Sequence, residues 1–540
     1  MSARATWKVS AAVMLSRVLG LGREMMFAAL FGGSRWMDCF YLAFRVPNLL
    51  RDLFAEGALS QAFVTTFSKK VKSDGPDNAW VLANRMVTLA AVFMSLVTLI
   101  GIGVAPWIVE LLTAFSKSGE TARDYNPEEI SLMVEMVRVM YPFIALVSLS
   151  ALVMGMLNAR DVFGIPALAS CFFNIGSMAG GAAIGYWMDP EWGPRSLVGF
   201  SWGVVIGGIA QLVCQFPALR SVGYRFVADF HWKDSGVKKI LTLMVPAVIA
   251  ASVTQVNVVV NSMFAYGVGE GAVSWLSYAF RIMQLPIGVF AVAVATVTLP
   301  ALSRAAIEGV GKDFAPTLAK ALKLVMFLVL PSTVGLVVLA GPIISLVYER
   351  GNFDAMDRIA VAGALQAYGY GLLFYAGLKV LQPAFYAIDK RWLPMIASLI
   401  ALFVNIICNY TFVFVFKWGH ESLALTTSIV ASLNFLFLYA AMIRHAGDIG
   451  SKGLVVAFFK IGVATAAMGG VCYFGNVFLF GDLDALVLWK KAIWLCGLIG
   501  IAGAVYLAVA FVLKVDEISD VVALIKKRVG GKLPPSGPSE

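Results

Sequence analysis

Five arginines and a group of acids occupy stretches of this 540-residue chain that are otherwise apolar enough to cross a bilayer. Arg17, Arg23 and Glu24 fall in the first such stretch, Asp38, Arg45, Asn48, Arg51, Asp52 and Glu56 in the second, and Arg281 in a much later one. A charge at bilayer depth costs at least roughly 2.5 kcal/mol, so it marks a wet cavity or a substrate path. Arginine keeps its charge at any physiological pH, and its planar fork binds phosphate or carboxylate through two hydrogen bonds. The chemistry open to these residues is the binding of an anion within the membrane.

Helical spacing places them on shared faces. Asp38, Arg45, Asn48 and Asp52 are separated by seven, three and four residues, with Arg51 and Glu56 flanking that stripe. Arg17 and Glu24 are seven apart with Gly20 between them and Arg23 one position off, and Ser274 and Arg281 repeat the seven-residue spacing. Two readings follow. The charges could be structural ion pairs, Arg17 with Glu24 or Arg51 with Glu56, that tie helices together. Alternatively, four bases from three helices, Arg17, Arg23, Arg51 and Arg281, call for an external anion, and a diphosphate is the natural guest.

The elements that must position these residues are membrane helices. Hydrophobic residues make up 60% of the chain and charged residues 14%, against roughly 25% charge in soluble domains; mean hydropathy is +0.82. The apolar runs, beginning with Trp7–Phe31 and Met37–Phe67 and ending with Leu488–Leu513, predict an all-α polytopic protein of about fourteen transmembrane helices. Lys69, Lys70, Lys72, Arg220, Arg225, Lys238 and Lys239 gather in alternate loops, whereas Glu120, Glu128, Glu129, Glu270, Asp354 and Asp357 gather in the others. That asymmetry predicts both termini on the cytoplasmic side. The first run carries charge and no small-residue cleavage pattern, so it is expected to be retained rather than removed as a signal peptide.

Six cysteines lie in apolar spans without a CxxC pair, and three histidines are scattered. Neither suggests a disulfide framework, a metal site or a cofactor. The net charge of +10 belongs mostly to loops facing anionic lipid, and no basic patch with interleaved aromatics suggests nucleic acid.

The chain also repeats itself. Ala43-Phe44-Arg45 recurs as Ala279-Phe280-Arg281, Met26-Phe27-Ala28 as Met263-Phe264-Ala265, and Ala159, Asp161 and Pro166 as Ala387, Asp389 and Pro394. Blocks in the same order at nearly one offset predict two pseudo-symmetric six-helix lobes in the same orientation, with two further helices at the C-terminal end. The expected divisions are 1–230 (helices one to six), 231–450 (seven to twelve), 451–514 (thirteen and fourteen) and an amphipathic cytoplasmic tail over 515–540.

Ser16-Arg17, Gly20 and Arg23-Glu24, then Asp38, Phe44-Arg45-Val46-Pro47-Asn48 and Arg51, then Ala55-Glu56-Gly57-Ala58 and Gln61-Ala62-Phe63, resemble the MurJ (MviN) family of lipid II flippases. The resemblance is densest over the first seventy residues and returns at Tyr278-Ala279-Phe280-Arg281 with Pro286 and Gly288. Glu24 is a small departure, standing where many members look to have Asp. The resemblance implies the fold of the multidrug, oligosaccharidyl-lipid and polysaccharide exporter superfamily, two lobes around a cationic cavity, and a groove for the isoprenoid tail shaped by helices thirteen and fourteen. It implies a transporter and not an enzyme, in the bacterial inner membrane, moving undecaprenyl-diphosphate-disaccharide-pentapeptide from the inner to the outer leaflet. By residue match, Arg17, Arg23, Arg51 and Arg281 would contact the diphosphate, with Ser16, Asp38, Asn48, Glu56 and Ser274 arranging the cavity. Lipid II, membrane lipids and cell-wall synthesis proteins are the implied partners.

Several features stay open on sequence alone. Pro47 and Pro286 each remove a backbone hydrogen bond inside a span, as a static kink or as a hinge. Asn405 and Asn409, a turn apart, with Thr426 and Thr427, suit a cation or a cross-link between helices. Val515, Ile518, Val522, Ile525 and Val529 beside Lys526, Lys527 and Arg528 suit a helix lying on the inner leaflet or a partner protein. A multidrug or polysaccharide-unit exporter of the same fold is the rival function, and an enzyme acting on lipid-linked sugar is a more distant one that the absence of an acid-rich surface loop disfavours.

Overall fold

The computed structural model describes residues 3–53, 59–115, 126–308 and 313–518, and every regular element among them is a helix. Helices α1 (Ala3–Phe31), α2 (Arg35–Leu50), α3 (Ser60–Leu112), α4 (Pro127–Met140), α5 (Phe143–Ala159), α6 (Gly164–Met188), α7 (Ser196–Val213), α8 (Phe216–Ser221), α9 (Ser235–Val268) and α10 (Ala272–Pro286) come first. They are followed by α11 (Val292–Glu308), α12 (Ala315–Val338), α13 (Ala340–Tyr348), α14 (Ala355–Gly369), α15 (Leu372–Ala387), α16 (Trp392–Tyr410), α17 (Glu421–Ala446), α18 (Ser451–Leu479) and α19 (Leu488–Val512).

Ten stretches of the described chain are long and apolar enough to cross a membrane, or up to twelve if each of two bent pairs is one span. The pairs are Ser235–Ile249 with Ala251–Val268 and Ala355–Gly369 with Leu372–Ala387. The chain is thus an all-helical, polytopic membrane protein, while length and apolarity alone do not reach the expected fourteen. The two expected runs that go uncounted are the ones richest in charge. Trp7–Phe31 carries Arg17, Arg23 and Glu24, and Met37–Phe67 is divided between α2, a π-helical turn over 51–53 and the start of α3.

Proline explains the breaks in both repeat-related helices. Pro47 lies inside α2 shortly before the turn at 51–53, and Pro286 ends α10 directly before a π-helical turn, Ile287–Ala291. A proline cannot donate to the carbonyl one turn back, and a widened turn is a common way for a helix to absorb that loss. α3 bends instead at Gly75 (φ 82°, ψ 169°) followed by Pro76.

Contacts gather the chain into two compact units. The first comprises Met1–Tyr278, Tyr348–Asp357 and Asn405–Leu423; the second comprises Ala279–Val347, Arg358–Val404 and Ala424–Glu540, so the boundary falls inside α10.

In the first unit, α6 and α7 touch backbone to backbone. A Cβ added to Gly199 would lie 2.3 Å from the amide nitrogen of Gly185, and one on Gly203 would lie 2.6 Å from both the Cα of Gly181 and the carbonyl oxygen of Ser177. Small residues permit this approach, and the dispersion gained is what replaces hydrophobic driving force between membrane helices. Phe63, Phe67, Met86 and Met156 pack a second core where α3, α5 and α9 meet. The segment before α9 is tied to α3 by Arg85, whose Nε and Nη1 donate to Asp229 (2.9 Å) and Asp234 (2.8 Å). Asp229, outside the spans, is held down to about 2, first by the backbone N–H and ring of His231 and then by Arg85. Its carboxylate therefore stays charged at any physiological pH.

In the second unit, α18 and α19 pack with α12 around Ile461, Met468, Leu498 and Tyr506, and the Tyr506 hydroxyl donates to the Phe327 carbonyl at 2.6 Å. Val515 is buried there, and Ile518 packs against the same core. The remainder of the expected amphipathic tail, residues 519–540, lies outside the described residues.

Replacing Gly203 with Ala should lower the thermal unfolding temperature of the detergent-solubilised protein, since overpacking costs typically about 1–3 kcal/mol. Gly500→Ala on α19, where nothing lies within 4 Å of the added methyl, should leave it unchanged or slightly raised. Equal unfolding temperatures for the two variants would contradict the backbone contact.

Candidate functional site

The charged residues of α1 and α2 sit in the first unit, and their partners are mostly close in sequence. Arg23 Nη2 donates to Glu24 Oε1 at 3.0 Å, while the Tyr41 hydroxyl donates to the other oxygen of this buried carboxylate. The Arg23 guanidinium also lies over the ring of Phe173, 5.7 Å from its centre. Its buried Nε has no hydrogen-bond partner among the described residues. One turn past Tyr41, Arg45 Nη2 reaches Ser277 Oγ at 3.5 Å. Arg51 donates through Nε (3.1 Å) and Nη2 (2.8 Å) to Asp52 Oδ1, and Gln255 on α9 donates to Asp52 Oδ2 at 3.1 Å.

Glu24 thus pairs with its neighbour Arg23 and not with Arg17, which is exposed and has no hydrogen-bond or ion-pair partner among the described residues. The Ser16 carbonyl accepts from Asn174 Nδ2 at 3.3 Å, which fixes α1 against α6. Asn48 is half-buried on α2. Glu56 and the surrounding Ala55-Glu56-Gly57-Ala58 lie outside the described residues. Arg281, half-buried on α10, belongs to the second unit.

Asp38 and Ser274 meet directly. Both are fully buried, and Asp38 caps α10 from another helix: Gly271 N–H donates to Oδ2 at 2.7 Å, and the amide and hydroxyl of Ser274 both donate to Oδ1 at 2.9 Å. The carboxylate satisfies amides that the first turn of α10 cannot pair internally, and its charge suits the positive end of the helix dipole. Gly271 adopts φ 81°, and a Cβ there would also collide with the carbonyl oxygen of Gly33, 2.4 Å away.

Two further acids form buried anchors at this end of the unit that loop-charge reading did not single out. Asp357 accepts from the Gly33 amide (2.9 Å) and from Trp275 Nε1 (2.6 Å). Glu129, fully buried, accepts from the Tyr266 hydroxyl (2.8 Å), is reached by the Cys39 thiol, and pairs with Arg35 Nε at 3.3 Å; Arg35 also pairs with Glu270. Both acids stand in the first turn of a helix, α14 and α4, and that position was the available signal. Gly32 and Gly33 are needed here, since a Cβ on either would overlap Asn352, Asp357 or Trp275, whereas Gly22 and Gly269 face open space.

Asn409 Nδ2 donates to Asn405 Oδ1 (3.0 Å) and to Asn261 Oδ1 on α9 (2.6 Å), so these amides cross-link α16 and α9. Thr426 and Thr427 belong to the second unit. Among the described residues, no three His, Cys, Asp or Glu side chains are grouped to hold a metal ion.

A long helical membrane chain with arginines kept inside its spans has the architecture of a transporter for an anionic or amphiphilic solute. An inward-facing multidrug resistance MATE family transporter of the MOP superfamily matches 83% of this chain and 99% of its own, with a TM-score of 0.67 and 16% identity, a likeness of fold alone. A solved structure of lipid II flippase MurJ in an inward closed conformation matches 94% of this chain and 99% of its own at a TM-score of 0.75 and 27% identity. The sequence profile of the lipid II flippase MurJ family matches residues 27–488. The lipid II flippase MurJ of Burkholderia cenocepacia is 33% identical over 474 residues, covering 87% of this chain and 89% of the relative. A probable lipid II flippase MurJ of Vibrio cholerae is 33% identical over 522 residues, covering 94% and 95%. The chain belongs to the MurJ family.

Asp38→Ala should sharply lower the unfolding temperature and the yield of folded protein, because each buried donor left without an acceptor costs about 1–3 kcal/mol. Asp38→Asn keeps one carbonyl acceptor and should fall between Ala and the parent in thermal unfolding. An Ala variant as stable as the parent would show that the cap contributes nothing.

Proposed function

We propose that this protein is a lipid II flippase: it moves the undecaprenyl-diphosphate-linked disaccharide-pentapeptide from the inner to the outer leaflet of the bacterial cytoplasmic membrane by alternating access. The observation that carries this reading is the family match over residues 27–488. It is a transport function, with no bond made or broken. The loop charges favour both termini in the cytoplasm, and lipid II, the surrounding lipids and cell-wall synthesis proteins are its partners.

Arg17, Arg23, Arg51 and Arg281 are the residues proposed to meet the diphosphate, with Ser16, Asp38, Asn48, Glu56 and Ser274 arranging the site. The geometry supports this through the kind of ion pair present. Arg23–Glu24 and Arg51–Asp52 are adjacent residues of the same helix or turn, and adjacent helical positions point in different directions. Such pairs do not tie one helix to another, so an arginine can turn toward an incoming anion without undoing helix packing. The buried Nε of Arg23, without a hydrogen-bond partner among the described residues, is a donor available to a phosphate oxygen. Residues 451–514 are proposed to form the groove for the isoprenoid tail, since α18 and α19 expose Phe459, Val463, Ile493 and Phe511.

Cells depleted of this protein should accumulate labelled lipid II in the inner leaflet, and the parent gene should restore its outward movement. Arg281→Ala should lower translocation roughly tenfold to hundredfold at normal membrane abundance, as expected when a charge-assisted contact of about 1.5–3 kcal/mol is lost. Arg281→Lys should rescue only in part, because Lys retains charge without the two-bond fork. Full translocation by the Ala variant would remove Arg281 from the substrate site, whereas undiminished translocation after depletion of the parent would overturn the function.

A further inference from the structure

At the end of the second unit where α18 begins and α19 stops, a cavity of about 270 Å³ is lined by four lysines from three segments: Lys323 on α12, Lys452 and Lys460 on α18, and Lys514 just after α19. Lys452, Val456 and Lys460 are four residues apart in turn and share one helix face, and all three line the cavity. Lys323 Nζ lies over the first turn of α18, close enough that a Cβ on Gly453 would be 3.6 Å from it. The rim is a defined structure. Lys514 takes a left-handed conformation (φ 51°), the Val515 amide donates back to the Ala510 carbonyl at 3.0 Å, and Lys460 Nζ donates to the Lys514 carbonyl at 3.2 Å.

Two acids share the lining, Asp516 and the buried Glu517. Four cations against two anions leave two positive charges. The first turn of a 29-residue helix adds its own positive potential. We infer that this cavity binds a phosphodiester anion, and that the anion is the headgroup of an acidic membrane phospholipid. The choice of a lipid over free phosphate follows from the walls. Val455 and Phe459 on α18 and Phe511 and Val512 on α19 are exposed apolar side chains beside the lysines, a bed for acyl chains that a soluble ion would leave bare. Only the assignment to the inner leaflet rests on the orientation proposed above.

The test uses the full-length protein in nanodiscs of phosphatidylcholine carrying a small fraction of photoactivatable phosphatidylglycerol, with crosslinked peptides mapped by mass spectrometry. Label should concentrate in 452–460 and 511–517, and a Lys323→Gln/Lys452→Gln double variant should take up roughly tenfold less there, since each lysine near a charged lipid surface adds about a kcal/mol. That variant leaves the Lys460–Lys514 contact intact, and an unchanged unfolding temperature confirms its fold. Should it unfold, photoactivatable phosphatidylcholine on the parent protein replaces it and must label these peptides far less than phosphatidylglycerol. Equal labelling of variant and parent, or of the two lipids, overturns the site. Loss of the label on adding millimolar inorganic phosphate overturns the lipid assignment in favour of free phosphate. No translocation is measured, so these outcomes stand apart from those for lipid II.

Discussion

A carboxylate withdrawn from water must be given donors, and much of the first unit is arranged around that constraint. Asp38, Glu129 and Asp357 are buried, and each is satisfied by groups from segments far away in the chain. Asp38 closes the open amides at the start of α10, Asp357 fastens the turn after α1, and Glu129 joins α2, α4 and α9. Removing one partner from such a set strands a charge in a low-dielectric setting, which costs far more than the net worth of the contact. The anchored helices therefore hold α1 and α2 in fixed register, and with them the arginines.

The arginines obey a different rule. A guanidinium cannot be neutralised by losing its proton, so burial obliges it to keep an anion nearby. In α1, and at the turn after α2, that anion is the next residue along, Glu24 for Arg23 and Asp52 for Arg51. Each pair keeps the charge tolerable while the site is vacant and asks little of the neighbouring helices when an external phosphate competes. Cross-helix acids do structural work in the same unit, so the contrast lies in placement and not in residue type.

Most of the architecture was legible in the sequence because hydrophobic length and charge asymmetry are local properties. The spans, the polar faces of α1, α2 and α10, and the two prolines beside the widened turns could all be read from spacing. The burial of Glu129 and Asp357 could not, because it depends on Tyr266 and on Gly33, which lie 137 and 324 residues away. Loop-charge counting treats such acids as solvent-exposed, whereas a first-turn position allows an acid to face inward. The glycine contact between α6 and α7 was likewise hidden, since a glycine in open space such as Gly22 and one in backbone contact such as Gly203 are the same letter.

The two repeat-related helices show how one sequence device serves two ends. α2 and α10 each carry an arginine after Ala-Phe, each contains a proline, and each is followed by a π-helical turn. A widened turn leaves carbonyl oxygens less completely paired and lowers the cost of bending. The first turns of the same helices are held firmly, α2 by the Ser34 hydroxyl that accepts from Met37 and α10 by Asp38. Rigid at one end and compliant at the other, such a helix can change direction at the proline while its capped end stays put. That asymmetry is what alternating access asks of a helix bearing a substrate-binding charge: the anchor fixes where the helix starts, and the widened turn leaves free where it goes.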